Sequence, residues 1–368
     1  MRVTAAVMPE RSGRWVLEEL ELVDPAPHEV VVRVVASGIC QTDVHARDGY
    51  FPVPWPAVYG HEGTGVVERV GAAVKSVVPG DHVIMASPGC GECASCREGY
   101  EPYCVRAREI KLSGVRMDGS IALRKGDKPV HGSFFQQSSF STLALAIEGN
   151  VIRVPKDAPL DLLAAFPCGV NTGAGAVMNV LKPRAGESFA VFGAGTVGLA
   201  GLMAAKLAGC DPIIAVDVFE NRLALARELG ATHTVDAKRP DLAAEVRRLA
   251  GGRGVKASLE AAGAPTALRA AVDSLAPRGT CCLVGSARGG VEVPIEMATL
   301  QWGRVVRGCI QGESVVKEFL PRLVDLFRAG KLPVDRLVRH YDFAAINEAV
   351  ADMLSGKTIK AVLRIGRA

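Results

Sequence analysis

Residues 187–209 read ESFAVFGAGTVGLAGLMAAKLAG. The short apolar run Phe189–Phe192 passes directly into Gly193, Gly195 and Gly198, and then into an Ala- and Leu-rich stretch of helical composition. Between a strand and a helix, the spacing G-x-G-x-x-G carries a mechanism. Gly193 permits the tight turn, and Gly195 lets the backbone N–H groups of Thr196 and Val197 at the helix start approach a pyrophosphate. Gly198 allows close packing of helix on strand. The natural ligand of such a loop is a dinucleotide.

Working outward, Pro212–Val216 reads as the second strand and ends in Asp217, nineteen residues past Gly198. A carboxylate there accepts hydrogen bonds from adenosine ribose hydroxyls and repels a 2′-phosphate, so the expected cofactor is NAD. Arg222 is near enough in sequence to reach the same ribose. Strand and helix patterns then alternate through the helical stretches 221–229 and 242–249 and the strands 233–235, 257–260 and 281–284. Such alternation predicts a doubly wound parallel sheet of Rossmann type over residues 169–310.

Upstream the pattern changes. The β-branched run Val30–Val35, the stretch Gly63–Gly71 and Asp81–Met85 are short strands separated by turn signals such as Val78-Pro79-Gly80. They predict a mainly β domain over residues 1–168, to which the closing strand at Lys360–Ile365 returns within residues 311–368. Residues 105–137 lack periodicity and read as a long surface loop.

The chain has 368 residues, enough for two cored domains, with 49% apolar and 22% charged residues. A net charge of +4 without a basic stripe argues against nucleic acid or an anionic membrane as partner. The longest apolar run, Phe189–Ala205, is broken by glycines and too short to span a bilayer, and the N-terminus reads as a strand with no export signal. A cytoplasmic enzyme acting on small molecules is expected.

Ten cysteines are distributed unevenly. Cys90, Cys93, Cys96 and Cys104 cluster in a polar stretch, which suits a closed four-cysteine zinc site or an iron–sulfur cluster; the seven-residue gap before Cys104 favours zinc. Cys210, Cys281, Cys282 and Cys309 lie in apolar or glycine-rich contexts and read as core thiols. The stretch Ser37–Glu62, SGICQTDVHARDGYFPVPWPAVYGHE, concentrates metal-ligand chemistry. Cys40 offers a thiolate and His61 an imidazole, and a third ligand from elsewhere leaves one tetrahedral position open for chemistry. Glu62 adds a further ligand or a supporting carboxylate.

Cys-x-Thr-Asp-x-His at 40–45, Gly-His-Glu at 60–62, the cysteine lobe and the glycine loop together resemble the zinc-dependent medium-chain alcohol dehydrogenases over essentially the whole chain. The resemblance implies a GroES-like catalytic domain beside the Rossmann domain, NAD, and two Zn²⁺ per chain, one catalytic and one structural. It assigns Cys168, in the context C-G-x-x-T-G-x-G, as third catalytic ligand beside Cys40 and His61, with Glu62 binding transiently. Asp43 matches the carboxylate that holds the histidine ligand, and Thr42 and His45 a proton relay. Lys360 stands at a basic contact to the cofactor, whereas Gln41 replaces the arginine of better-known members.

An open zinc position beside a nicotinamide moves hydride between an alcohol and its aldehyde or ketone. The resemblance places Phe51, Phe134, Phe135 and Ala86 around the substrate. The runs Gly132–Phe140 and Asp335-Arg-Leu-Val look most like the aryl-alcohol and geraniol branch. A bulky apolar primary alcohol, aromatic or allylic, is therefore expected. The alternatives are S-hydroxymethylglutathione or a general aliphatic alcohol, or a zinc- and nucleotide-binding protein without catalysis. A zinc-free quinone or enone reductase of the superfamily would lack Cys40, Cys168 and the cysteine lobe. The family pairs cofactor domains edge to edge, which implies a homodimer or a homotetramer.

Overall fold

The computed structural model describes residues 1–367. They form two compact units, one comprising Met1–Cys168, Val315–Val324 and the chain from Asp335 onward, the other Gly169–Ser314 and Asp325–Val334.

The first unit is built on mainly antiparallel sheets, with Val338–Asp342 and Lys360–Arg364 paired parallel. Its main sheet runs in the order Val151–Val154, His82–Met85, Gly63–Val70, Glu29–Gly38, Lys360–Arg364, Val338–Asp342, with Leu143–Ile147 also paired to Glu29–Gly38. A strand shows its side chains to alternate faces, so a run of valines serves two cores. Val30, Val32 and Val34 pack with Val67, Val83 and Met85, while Val31 joins Leu145, Leu363 and Tyr59. The closing strand meets Glu29–Gly38 in antiparallel register, Val362 opposite Gly38 and Leu363 opposite Ser37. A second sheet joins Ala57–Val58, Arg2–Met8, Val16–Leu22, Leu123–Lys125 and Lys128–Val130.

One local reading is corrected here. Residues 105–137 are not a surface loop: they contain the helix Ala107–Leu112, the hairpin strands Leu123–Lys125 and Lys128–Val130, and the turn Phe134–Gln136. Ile110, Lys111, Leu123, Val130 and Phe134 are buried. Pieces of three to six residues are too short to display a period, and tertiary packing fixes them. The segment after Cys40 is the helix Gln41–Arg47. Asp43 stabilises its start by accepting the Cys40 N–H at 2.9 Å.

The second unit is a six-stranded sheet, parallel throughout, in the order His233–Asp236, Ile213–Asp217, Phe189–Phe192, Val255–Glu260, Leu275–Leu283, Val305–Gly308. By sequence position this order is 3-2-1-4-5-6, the doubly wound Rossmann arrangement, whose ligands bind beyond the carboxyl ends of the strands. Cys210, Cys281, Cys282 and Cys309 are buried, as core thiols should be. Among the described residues no helix is long and apolar enough to cross a membrane.

Candidate active site

The strand Glu29–Gly38 delivers Cys40 to the start of the helix Gln41–Arg47, and that helix carries Thr42, Asp43 and His45. Gly60, at φ +90°, turns the chain into His61, and a Cβ there would lie 2.6 Å from the backbone nitrogen of Phe140. Cys40, His61, Glu62 and Cys168 come together with one ligand atom each inside 4.8 Å of the others. The Cys40 and Cys168 sulfurs are 3.8 Å apart.

Asp43 organises this cluster. Buried completely, it accepts the Gly60 N–H at 3.1 Å and sits 3.1 Å from His61 Nδ1. An Nδ1–H donated to Asp43 leaves the Nε2 lone pair toward the thiols, and Nε2 is a buried atom without a hydrogen-bond partner. Burial by itself favours a neutral imidazole, yet Asp43 and Cys40 outweigh it and raise the affinity of His61 for a proton. The hydrogen bond from Cys168 holds the Cys40 thiol well below its ordinary range, and the same contact drives Cys168 well above. Two buried thiols this close keep one negative charge between them, and a divalent cation is what lets both ionise. The donor set and the orphaned Nε2 fit zinc with one open position.

Glu62 binds Lys360 through Oε2, while its Oε1 is buried without a partner. Burial pushes the Glu62 carboxyl up to about 7, against the pull of Lys360. Lys360 also donates to the Ile39 carbonyl at 3.0 Å. A Cβ on Gly38 would overlap the Glu62 carboxylate, so this ion pair requires glycine there. Lys360, expected to contact the cofactor, is 2% exposed, and its ammonium is paired here with a buried carboxylate that needs a counter-charge.

Thr42 and His45 are three residues apart on one helix, hence on one face. Thr42 Oγ1 lies 3.5 Å from Cys40 Sγ. The His45 ring stacks on Tyr50 at 4.6 Å and meets the edge of half-buried Phe51 at 6.0 Å. Of the rings expected around the substrate, Phe135 is partly exposed and lies flat on His61 at 4.7 Å. Phe134 and Ala86 are corrected. Both are 0% exposed; Phe134 packs behind Phe135 against Tyr59, and Ala86 is closed over, so neither faces open space.

Sequence reading missed the clamp that holds Phe135. Ser133, Phe135, Gln136 and Ser138 all take positive φ, near +50°, a costly backbone for residues with side chains. Gln137 Nε2 donates to the carbonyls of His61, Met85 and Ala86, and its Oε1 accepts the Gly63 N–H. Asn150 donates to the carbonyls of Phe135 and Gln136. Isolated amides give no sequence signal. Their partners lie far away in the chain.

Cys90, Cys93, Cys96 and Cys104 also gather with ligand atoms within 4.8 Å. Backbone N–H groups of Glu92 and Cys93 point at Cys90 Sγ at 3.4 Å, and those of Cys90 and Arg106 at Cys104 Sγ at 3.3 and 3.4 Å. N–H donors aimed at sulfur stabilise thiolates, and four thiolates make a closed zinc site.

In the second unit, Gly193 takes φ +98°, and a Cβ there would lie 2.8 Å from the Ala262 nitrogen. A Cβ on Gly198 would overlap the Gly193 carbonyl, whereas Gly195 meets only Arg222 Nη1, at 4.0 Å. The loop is thus packed below and open above the start of the helix Thr196–Leu207, a cradle for phosphate. Asp217 accepts from the Ala194 N–H at 2.6 Å and the Phe219 N–H at 3.0 Å. Arg222 Nη1 is 3.7 Å from Asp217, its guanidinium covers the Phe219 ring at 4.7 Å, and its Nε is buried without a partner.

A thiol–imidazole metal cluster in a β unit, with a phosphate-cradling parallel sheet in the other, defines a metal-dependent nicotinamide dehydrogenase. Two family models match: the alcohol dehydrogenase GroES-like domain over residues 26–156 and the zinc-binding dehydrogenase over residues 196–327. A geraniol dehydrogenase of Castellaniella defragrans is 40% identical over 98% of this chain and 96% of its own. The crystal structure of an alcohol dehydrogenase zinc-binding domain protein from Burkholderia ambifaria has TM-score 0.96 and 47% identity, covering 99% of both chains. That of benzyl alcohol dehydrogenase from Acinetobacter calcoaceticus has TM-score 0.96 and 40% identity, also over 99% of both. The chain belongs to the zinc-dependent medium-chain alcohol dehydrogenase family. It is an oxidoreductase, and its family works with zinc and a nicotinamide cofactor.

Proposed function

We propose that the protein reversibly oxidises a bulky apolar primary alcohol, aromatic or allylic, to its aldehyde with NAD. The observation that carries this reading is the cluster of Cys40, Cys168 and the orphaned His61 Nε2, with the partly exposed Phe135 ring lying on the same imidazole. The geraniol and benzyl alcohol specificities of the two relatives support the substrate class.

Cys40, His61 and Cys168 would hold zinc, which would supply a Lewis acid to acidify an alcohol, with a bound nicotinamide as hydride acceptor. The residues of the chain do the rest. Asp43 fixes the His61 tautomer. Glu62, held by Lys360, offers Oε1 as a transient further ligand. Thr42 Oγ1, beside Cys40 Sγ, is placed to take the proton of a bound alcohol, and His45 on the same helix would be the outer group of the relay. Asp217 accepts the adenosine ribose hydroxyls beside Arg222, and Gly193–Gly198 hold the pyrophosphate. The second zinc belongs to Cys90, Cys93, Cys96 and Cys104. The unit of Met1–Cys168, Val315–Val324 and the chain from Asp335 onward is the catalytic domain, in place of the expected 1–168 with 311–368, and the unit of Gly169–Ser314 and Asp325–Val334 binds the cofactor. None of the ten cysteines is in a disulfide, which suits the cytoplasm.

A substrate panel tests the reading. Each buried methylene contributes about 0.8 kcal/mol, so an aryl alcohol packed beside Phe135 gains two or more orders of magnitude in kcat/KM over ethanol. Benzyl alcohol and a terpene alcohol are expected to exceed ethanol, sorbitol and S-hydroxymethylglutathione. A best substrate among the last three sinks the assignment.

We further propose a homodimer joined along the cofactor sheets. Val305–Gly308 is the last strand on its side of the sheet. Beside it Trp302 is 65% and Met297 79% exposed, and an unpaired edge with apolar neighbours is built to be covered. Sedimentation at micromolar concentration is expected to give twice the chain mass, or four times for a dimer of dimers. A monomer rules this out.

A further inference from the structure

Lys111 lies near the end of the helix Ala107–Leu112 and is only 8% exposed. Its Nζ sits 5.9 Å from the centre of the Phe135 ring, the ring stacked on His61 at 4.7 Å. The ammonium is therefore no further from His61 than those two separations together. Among the described residues nothing forms a hydrogen bond or ion pair with it. Glu101, an acid near enough to act on it, has its own Oε2 buried and unpartnered, so the two groups do not satisfy each other.

Buried ammonium groups are ordinarily paired, because desolvation is costly and three N–H donors need acceptors. Burial pulls Lys111 down to about 8, and the charges of Cys104, Glu101, Cys168 and Cys96 offset only part of that cost. Attraction to the face of Phe135 contributes further without satisfying any N–H geometrically. Nζ itself is not sealed off, so its acceptor comes from outside the chain, as water or as a group on a bound molecule. Its position beside the ring stacked on His61 places it where a bound alcohol could carry that group.

We propose that Lys111 is a specificity-determining residue whose ammonium donates to an oxygen substituent on the ring of an aryl alcohol, a hydroxyl or methoxy group remote from the carbinol. This rests on the aryl-alcohol reading above and refines it. A purely apolar ring leaves the ammonium unsatisfied. An oxygen acceptor on that ring completes it, and a hydrogen bond to a charged donor is strong enough to discriminate by about tenfold or more.

The test pairs alcohols of equal size that differ in the acceptor: 4-methoxybenzyl against 4-ethylbenzyl alcohol, and the 3-substituted pair. In the wild type the methoxy member of at least one pair is expected to have roughly tenfold higher kcat/KM; in Lys111→Met that ratio falls to one or below. Lys111→Arg, which keeps a donor, retains part of the preference and serves if the Met variant does not fold. Zinc content is measured beside the ratio. Loss of zinc from Lys111→Met with all alcohols falling in parallel and the ratio unchanged would make Lys111 a counter-charge for the thiolates and overturn the proposal. A wild-type ratio near one in both pairs overturns it while leaving benzyl alcohol oxidation intact. Failure to turn over any aryl alcohol overturns both readings.

Discussion

Cys40→Ala is expected to lower bound zinc from the proposed two ions per chain to one and to reduce alcohol turnover by roughly three orders of magnitude or more, the scale of losing several kcal/mol of transition-state stabilisation. The two thiol sets share no ligand, so the four-cysteine site keeps its ion and far-ultraviolet circular dichroism stays native. With Cys40 gone, Cys168 loses the neighbour that holds it protonated, but a single thiolate and one imidazole bind zinc far more weakly than three ligands. His61→Ala gives the same pattern by another route, because it leaves the Asp43 carboxylate buried without the Nδ1 partner. Metal analysis with NAD-coupled turnover checks both variants. Full zinc content and full activity in Cys40→Ala would show that the ligand assignment is wrong.

Asp217→Gly shifts the NAD⁺/NADP⁺ ratio of kcat/KM toward NADP⁺ by roughly one to two orders of magnitude, the scale of a lost charge-assisted hydrogen bond and a removed repulsion. The carboxylate does more than meet a ribose. It accepts the Ala194 and Phe219 N–H groups, so glycine also loosens the turn that carries Gly193 and Gly195. Asp217→Asn separates the two effects, since the amide oxygen still accepts one of those N–H groups but carries no charge. Asn is expected to improve NADP⁺ with a smaller loss of NAD⁺, and Arg222, freed from its 3.7 Å pairing, turns to the added phosphate. An unchanged cofactor ratio in both variants removes Asp217 as the selector.

The chemistry of this protein is unevenly written in its chain. Strand, glycine turn and helix at 189–207 are legible because each step is local: an apolar run, three glycines whose absent Cβ atoms leave room, and a helical composition within twenty residues. The lobe Cys90–Cys104 is legible for the same reason, since a metal site closed by one short loop leaves its spacing in the sequence. The valine run 29–38 announces a strand. It does not announce that its two faces serve different cores.

What only the tertiary structure decided are pairings across long separations. Cys168 meets Cys40 across 128 positions, and Lys360 meets Glu62 across 298, where it answers a buried carboxylate. Gln137 reaches His61 across 76, and Lys111 comes to rest over Phe135 with no acceptor among the described residues. Local spacing encodes neighbours within a turn, a helix face or a strand, because the backbone fixes those distances whatever the rest of the chain does. Burial, orphaned donors and the choice of counter-charge depend on which distant segment closes over a group, and that is settled by packing of the whole unit.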